Sequence, residues 1–413
     1  MRNILFPIIL VLLITFIELY TYKGLKSQWD KYKIWFKKSI KIVHLSLLGL
    51  AIIGFFTLFF FGKHLPYWQI NFFFGFVLIN LIVKMVLSLF LAIDDTIRFF
   101  RWIHKKRQPK LQKETNQGIS RFDFIVKTGL VAAAVPAISL PAGMIIGPYK
   151  YTLHKPTVVL PNLPVAFNGL KIVQISDIHS GSFYNKEAVN KGIDLLLAQK
   201  PDVVFFTGDL VNDSAEEMKN YMDVFSRVKA PMGVFSILGN HDYGDYKVWK
   251  TEQEKAANLQ ELKKIHKKLG WQLLLDEHVY LQKGTDKIAL IGVENWGAGF
   301  HQIGDLKKAY AGCKAPVKLL LSHDPTHWDE EVRKSYGDID ITFSGHTHGA
   351  QMGIETGGFK WSPISLRYSK WAGLYQEKQQ YLYVNRGYGF LCYQGRIGIW
   401  PEITVMTLVT NNA

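Results

Sequence analysis

Cysteine is nearly absent: Cys313 and Cys392 are the only two in 413 residues. Two thiols build neither a disulfide framework nor a cysteine-ligated metal centre. One bridge between them in an oxidising compartment stays open, because spacing alone does not decide it. Acidic side chains are also scarce at the front. Residues 1–149 carry 19 Lys/Arg and only 6 Asp/Glu, a net of +13, whereas the rest carries 30 and 28, a net of +2. The overall +15 therefore belongs to the front third, which is strongly apolar. A nucleic-acid binder gathers its charge on a folded face, and a remainder of +2 offers no phosphate-tracking surface. Nucleic acid is thus not an expected partner, and the basic residues read as flanks of membrane spans.

Four apolar stretches, residues 3–22, 42–62, 67–93 and 122–147, reach the length of about 20 residues that crosses a hydrocarbon core. The first has almost no basic leader and no small-residue cleavage site, so it is expected to remain as a span. The third carries Lys84 in mid-span; an ionisable group there is a functional hint by default, with an interhelical or snorkelling lysine as the simpler reading. Basic residues crowd the first connection (Lys23, Lys26, Lys31, Lys33, Lys37, Lys38, Lys41) and the third (Arg98, Arg101, Lys105, Lys106, Arg107, Lys110, Lys113, Arg121), with only Lys63 in the second. The positive-inside rule puts the first and third connections in the cytoplasm, and both termini and the large C-terminal part on the extracytoplasmic side. Trp29, Trp35, Trp68 and Trp102 suit an interfacial belt. The fourth stretch, with Pro136 and Pro141, begins "SRFDFIVKTGLVAAAVPA"; it is similar to a twin-arginine signal but has Phe122 in place of the second arginine. It reads as an uncleaved span, and the orientation of everything after it depends on its crossing.

Residues 150–169 read as a linker, Pro-rich from Lys155 to Leu163 and alternatively an edge strand. Then one pattern recurs. "LKIVQIS" runs into Asp177-Ile178-His179, "PDVVFFT" into Gly208-Asp209, and "GVFSIL" into Gly239-Asn240-His241-Asp242. "VKLLLS" runs into His323-Asp324-Pro325, and "DIDITFS" into Gly345-His346-Thr347-His348-Gly349. Such continuous apolar runs suit fully buried strands, and residues 185–199, 214–229 and 249–269 between them read as helices. Open α/β sheets collect binding groups beyond the carboxyl ends of their strands. One Asp-x-His or one His-x-His is weak on its own, but five polar strand ends in succession point to a metal-binding site.

These segments, as spaced, resemble the calcineurin-like metallophosphoesterases, whose pattern is Asp-x-His, Gly-Asp, Gly-Asn-His-Asp/Glu, a His after a strand, and Gly-His-x-His. The likeness covers residues 170 to 408, and "LLLSHDPTHW", "SGHTHGAQ" and the tail "YLYVNRGYGF…GRIGIWPEITVMTL" resemble the membrane-attached bacterial branch. It implies a four-layer α/β/β/α sandwich over residues 170–410, preceded by an all-α transmembrane region over residues 1–149, in a bacterial inner membrane. It also implies two divalent ions, one held by Asp177, His179, Asp209 and His348, the other by Asp209, Asn240, His323 and His346, with Asp209 shared. Imidazole and carboxylate donors suit Zn, Mn or Fe, and such a pair activates a bridging water and clamps phosphate oxygens during in-line attack. His241, beside the ligand Asn240, would then assist the leaving group. Family members often orient this histidine with an Asp three residues after the shared aspartate; here that position is Asn212, with Asp213 or Asp242 as candidate substitutes. Arg386 in "NRGYGF" is a candidate phosphate contact or half of a salt bridge. His327 and the histidines at 44, 64, 104, 154, 266, 278 and 301 belong to no ligand set. Trp296, Phe300, Trp361, Tyr368 and Trp371 either line an apolar groove for an acyl chain or pack the loops.

The resulting expectation is a membrane-anchored phosphate mono- or diesterase, with a phosphoester substrate that is lipid-linked or not. One alternative is a glycolipid-precursor pyrophosphatase resembling enzymes that act on UDP-diacylglucosamine in lipid A synthesis; that substrate needs a cytoplasmic site, against the orientation above. A second is a non-catalytic membrane sensor that keeps the fold, although all seven ligand positions and His241 are intact. Metal identity, mono- or diester preference and oligomeric state are not read from the sequence.

Overall fold

The computed structural model describes residues 5–30, 32–105 and 120–411. Lys31, Lys106, Arg107, Lys110 and Lys113, counted above for orientation, and residues 3 and 4 of the first span lie outside the described residues. The chain divides into two compact units, Met1–Ala142 and Gly143–Ala413.

The first unit is helical: α1 (Leu5–Trp29), α2 (Ile34–Phe56), α3 (Tyr67–Lys105) and α4, which begins at Arg121 and ends at Ile146. Among the described residues, four helices are long and apolar enough to cross a membrane. Helix α3 outlasts the predicted span because its charged residues continue the helix: Arg98 Nε bonds Asp94 Oδ2 at 2.5 Å one turn earlier, and Arg121 reaches the same carboxylate at 3.2 Å. Leu25, Leu87, Leu91, Val126 and Ala133 pack together as a buried apolar seam. Lys84 is interhelical. Its Nζ lies 2.8 Å from Glu18 Oε1 and 3.0 Å from His44 Nδ1, and His44 Nδ1 lies 2.6 Å from the same Glu18 oxygen. His44 is therefore part of a three-helix polar cluster.

In the second unit the apolar runs become strands for the reason the sequence suggests: each is buried on both faces. Strands β1 (Thr152–His154), β2 (Thr157–Val159), β3 (Leu170–Ile175), β4 (Val203–Phe206), β5 (Val234–Ser236) and β6 (Gln272–Leu273) enter a first sheet. Strands β7 (Glu277–Lys283), β8 (Asp286–Gly292), β9 (Lys318–Leu321) and β10 (Ile341–Ser344) enter a second. A separate hairpin follows, β11 (Ile354–Thr356) and β12 (Phe359–Trp361), then β13 (Gly373–Glu377) and β14 (Gln380–Val384) complete the second sheet. Finally β15 (Glu402–Val409) returns to the first, giving the orders β1-β15-β3-β4-β5-β6, with β2 also on β15, and β13-β14-β10-β9-β8-β7. Strands β3 to β6 run parallel, as do β14, β10, β9 and β8.

Alternation along each strand assigns its two faces. Ile172, Val203, Phe205 and Phe235 of the first sheet meet Leu319, Leu321, Ile341 and Phe343 of the second in an inter-sheet core, with the Phe205 and Phe343 rings edge-on at 5.2 Å. The opposite face of the first sheet (Val173, Ile175, Val204, Phe206) packs under α5 (Lys186–Leu197) and α7 (Glu252–Leu269), with the single-turn α6 (Met222–Phe225) between them in the chain. The outer face of the second sheet (Ala289, Ile291, Leu320) is covered by α8 (Leu306–Tyr310) and by Trp328 and Val332. This is the helix–sheet–sheet–helix sandwich expected.

Residues 150–169, read as a linker or an edge strand, take the edge-strand form: β1 and β2 pair with β15 and lengthen the first sheet. One expectation changes. Residues 214–229 form a 3₁₀ turn (Ala215–Asn220) and the short α6, because Glu217 turns back to accept the amides of Asn212, Asp213 and Ser214. Cys313 and Cys392 are both free thiols.

Candidate metal centre

Every predicted ligand lies just past a strand end of the second unit, and the backbone there is unusual. Asp177, His179, Asp209, His346 and His348 all have positive φ, between 48° and 71°. Non-glycine residues held in this region cost roughly 1–3 kcal/mol each and cluster at functional sites. The left-handed turns swing consecutive ligands back over the sheet rather than along the strand. Neighbouring glycines make room: a Cβ on Gly208 would lie 2.6 Å from the Gly239 nitrogen, and one on Gly239 would lie 2.7 Å from the Asp209 nitrogen. Asp242 ties these turns together, accepting the amides of Asp209 (3.0 Å), Leu210 (2.8 Å) and Gly239 (2.9 Å).

The side chains converge as two groups that could each hold a metal ion, Asp177/His179/His348 and Asp209/His323/His346. In the first, His179 Nε2 and His348 Nε2 are 3.0 Å apart, and His348 Nε2 is 3.3 Å from Asp177 Oδ1. In the second, His323 Nε2 is 3.1 Å from Asp209 Oδ2 and 3.3 Å from His346 Nδ1, which lies 2.9 Å from Asn240 Oδ1. Asp209 faces both groups, since its Oδ2 is also 3.6 Å from His179 Nε2.

The donor set fits divalent cations. His323 Nδ1 donates to the Thr207 carbonyl at 2.7 Å, and His346 Nε2 bonds Tyr368 Oη at 3.0 Å, so the opposite ring nitrogens, His323 Nε2 and His346 Nδ1, are turned towards the centre. Asn240 donates from Nδ2 to Tyr246 Oη at 2.8 Å, which turns its carbonyl oxygen inward. Burial lowers His179 well below its usual range and brings His346 to about 4, keeping both rings neutral as ligands must be. His323 differs: burial opposes its charge, but Asp209 and Asp177 outweigh burial and raise it to about 10. For His323 to serve as a ligand, the proton it shares with Asp209 would have to leave.

His241 stacks edge-on against His179 at 4.9 Å, beside the first group. Neither Asp213 nor Asp242 orients it. Asp242 is occupied by the amides above, and Asp213 accepts the Tyr246 amide at 2.8 Å. His241 Nδ1 instead donates to the backbone carbonyl of Asn212 at 2.8 Å, which selects the tautomer whose Nε2 is left for the site. Arg386 is not a phosphate contact. It is 2% exposed and held between Glu402 (2.5 Å) and Glu355 (2.6 Å). His327 is structural: buried, bonded to Ser322 and Glu331, and stacked on Trp296. Of the loop aromatics, Phe300 (4.7 Å) and Tyr368 (5.7 Å) border the His346 ring, whereas Trp371 packs into a core with Ile399. A cleft of about 290 Å³ opens beside Asn240, lined by Tyr243, Tyr246, Asn295, Phe300 and His301 among others. Tyr246 and Tyr368 were missed by the sequence reading as partners of the ligands, and a tyrosine in a loop carries no spacing signal that would reveal them.

With this geometry in place, comparison with known proteins is direct. Residues 170–350 match the family model described as "Calcineurin-like phosphoesterase", and residues 1–148 match one described as "Probable Calcineurin-like phosphoesterase, transmembrane domain". The chain belongs to the calcineurin-like phosphoesterases. It is 27% identical over 271 residues to the uncharacterized metallophosphoesterase YkuE of Bacillus subtilis, a match covering 64% of this chain and 88% of that one. It is 27% identical to a transmembrane protein with metallophosphoesterase domain of Danio rerio, over 60% of this chain but only 54% of that protein. Phosphodiesterase YaeI of Escherichia coli is 28% identical over 58% of this chain and 82% of its own length.

Proposed function

We propose that the chain hydrolyses phosphate mono- or diesters at two divalent ions, one on Asp177, His179, Asp209 and His348 and one on Asp209, Asn240, His323 and His346. The observation that carries this reading is Asp209 Oδ2, 3.6 Å from His179 Nε2 on one side and 3.1 Å from His323 Nε2 on the other. One carboxylate oxygen shared by two half-formed shells is what a dinuclear centre requires. When bound, the ions would supply an activated water and positive charge for the phosphate oxygens. His241, fixed through Nδ1, would present Nε2 to the leaving oxygen and, in its imidazolium form, give up the Nε2 proton to it. Asn240 contributes a neutral oxygen, which limits the negative charge facing the substrate. The diester arm draws support from the E. coli relative's description as a phosphodiesterase. The four apolar helices would anchor the enzyme in a bacterial inner membrane, with the basic first and third connections cytoplasmic and the catalytic unit outside.

The test is turnover of a chromogenic monoester and diester by the full chain loaded with Mn²⁺. Asp209→Asn is expected to abolish turnover and His241→Ala to reduce it by about 10²-fold or more. Wild-type turnover in Asp209→Asn would overturn the proposal.

A further inference from the structure

The hairpin that follows the last ligand is built inside out. Strands β11 and β12 belong to neither large sheet and turn through Gly357 and Gly358, both at positive φ. Cross-strand partners share a face: Glu355 sits opposite Lys360 on one, and Ile354 opposite Trp361 and Thr356 opposite Phe359 on the other. In water the apolar face should turn inward. Here Glu355 accepts two bonds from buried Arg386 (2.6 and 3.1 Å), and Lys360 bonds the Ala372 carbonyl (2.5 Å) and Tyr375 Oη (3.1 Å). The charged face holds the hairpin to the domain. Ile354, Phe359 and Trp361 are left 54, 59 and 45% exposed, and Leu366 in the next loop 86%. An isolated two-stranded hairpin is marginal in water, so a large apolar face outward needs a cover.

Its position identifies that cover. The chain enters this unit through the last turns of α4, where the Gly143 carbonyl accepts the Arg396 amide at 3.1 Å and a Cβ on Gly147 would meet the Arg396 nitrogen at 2.8 Å. The adjoining Ile397 exchanges backbone bonds with Gln351 and Gly353 at 2.9 Å each, immediately before β11. The end of an apolar helix and the root of the hairpin thus grip adjacent residues, Arg396 and Ile397. Around that helix end Ile145 and Ile146 are exposed, Tyr184 Oη bonds the Met144 carbonyl at 3.0 Å, and Lys150 lies 4.1 Å over Trp400. Tyrosine, tryptophan and lysine at the end of an apolar helix are the signature of a membrane–water interface.

We propose that the β11–β12 hairpin and Leu366 form a finger that inserts into the interfacial zone of the bilayer, and that the metal centre acts on phosphate esters presented at that lipid surface. This rests on reading the centre as a phosphoesterase and α4 as a span. His346 and His348 lie on the loop directly preceding the finger, so its depth sets the height of the centre above the headgroups.

The experiment uses the full chain in phosphatidylcholine–phosphatidylglycerol vesicles, with Cys313→Ala and Cys392→Ser and a fluorophore on Phe359→Cys or, as a control, on Gly284→Cys in the β7–β8 turn. Acyl-chain spin-labelled lipid is expected to quench the probe at 359 severalfold more than at 284; equal quenching overturns the finger. Combined Phe359→Ser, Trp361→Ser and Leu366→Ser substitutions, all at exposed positions, should lower turnover of a vesicle-borne phosphate ester by about tenfold or more and leave a soluble chromogenic ester unchanged in detergent. Parallel loss on both substrates, or none on either, overturns the lipid-surface role. If the unsubstituted chain turns over neither ester, the phosphoesterase reading fails, and quenching still decides the finger.

Discussion

Gly239→Ala displaces the shared carboxylate of Asp209 without removing it. Gly239 has φ −105° and ψ −178°, extended backbone that alanine adopts without strain, so the added methyl acts only through what it touches. Its Cβ would lie 2.8 Å from Asp209 Cγ and closer still to Oδ1, where ordinary contact begins at 3.4 Å. The carboxylate must therefore retreat by about 0.6 Å or more at Cγ, while the amides that Asp242 holds resist a compensating shift of the loop. Misplacement on the order of 1 Å costs about 10²-fold in rate, and both ions depend on this group. The same Cβ would lie 2.7 Å from the Asp209 backbone nitrogen, so the loop must move along with the carboxylate, and the full chain carrying Gly239→Ala is expected to melt lower, to lose metal by elemental analysis, and to fall about 10²-fold in kcat. Gly337→Ala serves as the control, since nothing lies within 4 Å of its Cβ and its metal content should not change. Two tightly held ions and normal kcat in Gly239→Ala would refute the placement of Asp209 between the sites.

Tyr246→Phe removes the acceptor that orients Asn240 and should weaken metal binding by about 10–100-fold, measured by competition with a chelating dye. Although burial opposes it, Arg386 holds the Glu402 carboxyl at about 2, below its ordinary 4.5. The resulting stability is fully present above about pH 4.5 and lost as pH falls towards 2. Arg386→Ala, which leaves Glu402 buried without its partner, should cost about 3–5 kcal/mol and remove that acid dependence in thermal melts across pH. In the helical unit, Glu18→Leu strands Lys84 and should destabilise by a similar amount. Adding Lys84→Met should recover most of the loss in detergent melts; failure to recover would mean the cluster has a role other than pairing.

The metal-ligand candidates were legible because each follows a continuous apolar run, and a run buried on both faces can end only at the rim of a sheet. What was not legible depends on partners remote in the chain or without a side-chain signature. Arg386 reads equally as a phosphate contact or half of a salt bridge until Glu355 and Glu402 are seen on either side of it. The orienting group for His241 is the Asn212 carbonyl, which every residue possesses, so substituting asparagine for aspartate conceals nothing that spacing could expose. Residues 152–159 read as linker or edge strand alike, because the strand they pair with is β15, at the far end of the domain. The hairpin's alternation is visible in "IETGGFKW", but its inverted orientation is not, since alternation does not say which face turns outward.

Strand β3 has on one side a strand 230 residues downstream, Gln174 pairing with Thr404. During synthesis the first three strands of the parallel sheet can emerge and pair, but one edge of β3 stays open until residues 402–409 leave the ribosome. Asp177 and His179 hang from the end of that strand. Closing so long a loop is slow, and an open edge invites pairing with other chains. Metal capture would therefore come late in the life of the nascent chain: the residues that would hold the ions are all made by position 348, and the sheet that steadies two of them closes only some sixty residues later.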